Sequence, residues 1–102
     1  MNPMRFFIDT HDTTKQTFPA KLQPNEFEGF IMQYEAACRA EGVVLLRVHA
    51  GLEAGRAFCF TMAPEAEAVR RAHERVGLPF DDITEVMTAT PGDTFFHERA
   101  GA

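Results

Sequence analysis

The stretch Ala57–Met87 (AFCFTMAPEAEAVRRAHERVGLPFDDITEVM) constrains the fold most, because three elements and their boundaries are all written into it. Phe58–Met62 is short and aromatic-rich, as strands are. Pro64 suits the first turn of a helix, and Glu65 and Glu67 suit its positive end. Ala66, Val69, His73 and Val76 then fall on one helical stripe. Gly77 is placed to close the helix, and Pro79 prevents its continuation. Ile83–Thr88 reads as another strand. The one polar member of the apolar stripe is His73.

Earlier in the chain the same signals recur. Met4–Thr10 reads as a strand, with Arg5, Phe7 and Asp9 on one side and Met4, Phe6, Ile8 and Thr10 on the other. An irregular connection follows, which Phe18 and Leu22 pin to the body. Asn25–Ala40 reads as a helix capped by Asn25 with Glu28, its core face formed by Phe27, Phe30, Ile31, Tyr34, Ala37 and Cys38. Gly29 interrupts that helix, where close packing is the expected reason. Val43–His49 reads as a strand with Val44, Leu46 and Val48 on one face and Val43, Leu45, Arg47 and His49 on the other. A Gly-bracketed hairpin leads to a third strand from Arg56.

Strand, helix, strand, strand, helix, strand is the order of a ferredoxin-like α+β fold: a four-stranded antiparallel sheet with two helices on one face. With 102 residues the chain makes one domain, residues 1–102, with a turn at Pro91-Gly92 and a flexible tail from about 97. Its second sheet face needs a cover, so a homodimer is expected, with Phe95 and Phe96 near the interface.

A formal net charge of −5 argues against a nucleic-acid partner and is compatible with a cation. No apolar run is long enough to span a bilayer, and the N-terminus lacks the pattern of a secretory signal. Cys38 and Cys59 read as free thiols of a cytoplasmic protein. No nucleophile elbow or glycine-rich phosphate loop is present, so catalysis stays open and binding leads.

The topology carries His11, His49 and His73 to one end of the sheet, with Asp9, Asp12 and Glu85 drawn there as holders of the imidazoles or additional ligands. Three imidazoles with carboxylates suit nickel, zinc or cobalt. Each histidine alone also reads as an ordinary surface or packed residue, and His97 as incidental. The alternative is a dimeric α/β barrel enzyme or small-molecule binder, with a small organic ligand between the sheets and His49, Arg47 and Glu85 as acid–base groups. A plain assembly domain is a third reading.

The run APEAEAVRRAHERVGLPFDDITEV, preceded by FCF, resembles a family of small bacterial domains, formerly of unknown function, described as nickel-binding or nickel-responsive. The resemblance covers roughly Met4 to Phe96. It implies a ferredoxin-like fold, dimerisation as an α/β barrel, and metal binding by histidines with oxygen ligands. His49 and His73 correspond by position in the second strand and second helix. His11 precedes a loop longer here than in many members.

Overall fold

Alternation along the first strand decides the architecture. In β1 (Arg5–Asp12) Phe7, Asp9 and His11 are buried, whereas Phe6, Ile8 and Thr10 are half-buried. One face of the sheet therefore carries the core and the other is open. A computed structural model describes residues 3–89. β1 is followed by a short 3-10 turn (Thr13–Lys15), α1 (Pro24–Ala40), β2 (Val44–Gly51), β3 (Arg56–Ala63), α2 (Ala66–Arg75) and β4 (Asp82–Val86). The strands pair antiparallel in the order β2-β3-β1-β4, the ferredoxin-like α+β arrangement expected from the element order. The expectations for Pro91-Gly92, Phe95, Phe96, His97 and the tail lie outside the described residues.

Both helices cover the same face. Tyr34, Ala37 and Cys38 of α1 and Ala68, Val69 and Ala72 of α2 share one core with Phe7, Cys59 and Ala63. Phe18 and Leu22 fasten the connection before α1 to Ala57 in a second cluster. The helix periodicity holds from Tyr34 onward but not at Phe30, which is 43% exposed. Phe27, one turn before Phe30, packs in the second cluster with Phe18, Leu22 and Ala57, whereas Phe30 lies outside both clusters. Gly29 has nothing within 4 Å of where a Cβ would sit, so close packing does not account for it. The start of α1 lies one residue earlier than Asn25 suggests. Pro24 takes the first helical position, and the Glu26 carboxylate accepts from the Gln23 N–H at 3.0 Å. Pro64 sits just outside α2, whose cap is Glu65.

β2 departs from simple alternation. Leu45 pairs with Thr61 but Arg47 pairs with Phe60, so Leu46 is an extra residue, a β-bulge. Two residues of β2 oppose one of β3, and every side chain beyond the bulge changes face. Leu45 and Val48 consequently both pack on the core, while Arg47 and His49 turn to the open face.

Candidate metal centre

Asp9 and His11 are two apart on β1 and so share the helix-covered face; His73 reaches them from α2. All three are buried, His11 at 3% exposure and the others at 0%. The end of α2 is a Schellman motif. Leu78 N–H donates to the His73 carbonyl at 3.0 Å and Gly77 N–H to that of Glu74 at 3.2 Å. Gly77 takes φ +63°, which a side chain would resist. That turn delivers Pro79 against His11.

Each imidazole has one nitrogen committed to a backbone carbonyl. His11 Nδ1–H donates to the Pro79 carbonyl at 2.7 Å, with the Thr17 carbonyl at 3.2 Å. His73 Nδ1–H donates to the Val69 carbonyl at 2.8 Å. A carbonyl can only accept, so both Nδ1 atoms carry protons. Both Nε2 atoms then converge on one carboxylate oxygen, Asp9 Oδ1, at 2.8 and 3.0 Å. Tyr34 and Phe80 fix the His73 ring, with centroids 4.6 and 4.8 Å away, and the two imidazoles stack at 5.5 Å.

Two lone pairs facing a carboxylate would repel, so the arrangement demands a positive charge: a proton on Nε2 or a cation between the groups. Burial alone would lower the His11 pKa, but the hydrogen bond and charge of Asp9, with the Pro79 and Thr17 carbonyls, raise it above 6.5. Burial alone would raise Asp9, but the two imidazoles hold it below its ordinary value. Asp9 Oδ2 is buried and has no hydrogen-bond partner among the described residues. Asp9, His11 and His73 each offer a ligand atom, all within 4.8 Å of one another. The donor set of two imidazoles and one carboxylate suits a first-row transition dication.

Residues 7–86 match the family model described as nickel responsive protein SCO4226-like. The chain belongs to this family. The crystal structure of SCO4226 from Streptomyces coelicolor A3(2) is similar, with 27% identity and a TM-score of 0.72 over 83% of this chain and 99% of that one. A search of curated proteins gave no match.

Of the residues that sequence reasoning placed at this end of the sheet, the structure brings together His11, His73 and Asp9. It keeps His49 apart: the Leu46 bulge turns His49 to the open face, opposite Phe58. Asp12 points to that face too, where its Oδ1 accepts from Thr14 N–H at 2.9 Å and Arg56 lies 3.6 Å away. Glu85 stands exposed on the edge strand, paired with Arg5 at 3.5 Å. Because Glu85 shares the register of Phe7, it also lies on the side of the sheet away from Arg47 and His49.

The sequence reading missed five contributors. The Pro79 and Val69 carbonyls orient the rings, and Tyr34 and Phe80 hold His73. Cys59, the partner of Asp9 across β1 and β3, lies with its Sγ 3.7 Å from His11 Nε2. Burial, then the Asp9 charge, raise its thiol pKa strongly, so it stays protonated. The i, i+2 spacing of Asp9 and His11 on one strand was the available signal that the two share a face.

Proposed function

We propose that the chain binds a divalent metal of the nickel type through Asp9 Oδ1, His11 Nε2 and His73 Nε2. The observation that carries this reading is the convergence of two Nε2 atoms on a buried carboxylate while both Nδ1 protons are given to carbonyls. A bound dication supplies the positive charge that this cluster requires. Asp9 then acts as the anionic donor, and the Pro79 and Val69 carbonyls hold the imidazoles in the binding tautomer. The family description, nickel responsive, supports nickel as the first metal to test.

Calorimetric titration of nickel into the tag-free wild type, His11→Ala, His73→Ala and His49→Ala tests the site. Binding is expected to disappear in the first two variants and to persist in His49→Ala. Equal binding in all four proteins would sink the assignment.

We propose, on separate grounds, that the protein is a cytoplasmic homodimer joined through the open face. Phe6 and Phe60 stack there at 5.7 Å, and Val44 remains 43% exposed beside them, a surface suited to a second copy. Both cysteines are free and buried, in keeping with a reducing compartment. No described helix is long and apolar enough to cross a membrane. Light scattering at micromolar concentration is expected to give twice the chain mass; a monomer mass overturns the dimer.

A further inference from the structure

The Leu46 bulge that removes His49 from the metal cluster also sets Arg47 and His49 together on the open side of the sheet. Bulges re-aim side chains in this way beside binding sites. Both residues are exposed, and both border one depression of about 330 Å³. Its apolar wall follows from the register. Arg47 pairs with Phe60, and Phe60 with Ile8, so an apolar row runs from the arginine across β3 to β1. Val86 of β4 adds to that wall, and Met87, Thr88 and Ala89, which follow it, complete the border. The charge of the depression is one-sided. Every other described arginine has a carboxylate beside it. Arg47 has none among the described residues, and no acidic side chain among them lines the depression.

We propose that this depression binds a small organic acid, one carboxylate carrying a short apolar body. The class follows from the lining. Arg47 offers its guanidinium fork to both carboxylate oxygens, and a ring N–H of His49 donates to one of them. The body lies against Ile8, Phe60 and Val86, where it leaves water. An amine is repelled by Arg47, and a neutral molecule leaves the guanidinium unmatched. A bare anion such as acetate leaves the apolar wall uncovered. The site is separate from the Asp9–His11–His73 cluster, on the opposite side of the sheet, and does not depend on the metal reading. Where a second copy covers the open face, the acid lies between the two sheets.

Titration of hexanoate into metal-free protein, followed by NMR, tests the site. The Ile8 and Val86 methyl signals and the Phe60 ring are expected to shift, with half-saturation at about millimolar concentration, as suits a ligand of this size. Val69, in the covered core, should stay unmoved. Acetate and hexanol should each bind more weakly than hexanoate. Arg47→Gln should weaken hexanoate about tenfold and His49→Ala about threefold, both with an unchanged melting temperature. Arg47→Lys keeps the charge but not the fork, so its affinity should fall between those of wild type and Arg47→Gln. Hexanoate bound no better than hexanol, or as well by Arg47→Gln as by wild type, overturns the proposal. So does an affinity that falls as protein concentration rises, since a second copy then fills the depression. The titration uses no metal, so its failure leaves the metal reading standing.

Discussion

On the covered face of the sheet, His11 is sealed among Asp9, Thr17 and Pro79, and both ring nitrogens meet acceptors. On the open face His49 stands exposed beside Arg47. The two strands bearing them run parallel to each other, each antiparallel to β3. The residue type is the same; what differs is who satisfies the ring. Water does so for His49. For His11 only the chain can, so tautomer and charge are built into the fold. Burial therefore turns a histidine from a solvated surface group into a committed part of a charge cluster.

The sharpest way to break that contrast is Asp9→Ala. It removes the one acceptor that both buried imidazoles share. Nickel binding is expected to vanish and unfolding in urea to become easier by about 3–5 kcal/mol, as when a buried charge loses its partner. A loss under about 1 kcal/mol would mean that the covered face holds neutral, independently satisfied rings.

The pH dependence comes next. The raised His11 pKa stabilises the metal-free fold fully below 6.5, and that contribution disappears as pH climbs through the higher folded value. The lowered Asp9 pKa contributes above 3.8 and is lost as pH falls through the lower folded value. Metal-free protein should thus be less stable in mildly alkaline than in mildly acidic solution, and nickel should reverse that trend. Nickel affinity should weaken on acidification already above 6.5, since His11 must lose its proton to bind. Thermal melts with and without nickel across this range check both signs; a metal-free melting point that rises from mildly acidic to mildly alkaline solution contradicts the cluster.

The smallest effects belong to exposed positions. His49→Ala should change stability by no more than about 0.5 kcal/mol and leave nickel binding intact. Phe30→Ala should cost clearly less than the about 3–5 kcal/mol of a fully packed aromatic, because Phe30 is 43% exposed. A denaturation midpoint shifted by the full amount would place α1 closer to the sheet than described.

Much of this contrast was legible in the amino-acid order. Alternation put Asp9 with Phe7, and His11 follows two residues on; the helical stripe put His73 inward, and Gly77 with Pro79 marked the turn behind it. His49 was misplaced because nothing around Leu46 announces a bulge: the run VVLLRVH has no glycine and alternates equally well in either register. Phe30 was misplaced because periodicity reports the apolar face of a helix and not what lies opposite each turn of it. The role of Pro79 was hidden for a different reason. It acts through its carbonyl, which every residue has, so only geometry distinguishes it.

Asp9 and His73 lie 64 residues apart in sequence, one on the opening strand and the other on the second helix. Neither half of the chain can therefore assemble the cluster by itself. Closing so long a loop costs chain entropy. An ion held there recognises only chains that have finished, and by mass action it withdraws them from the unfolding equilibrium. The buried cluster would then serve as a clasp between the two halves as well as a binding site, with the abundance of intact protein following the supply of the metal.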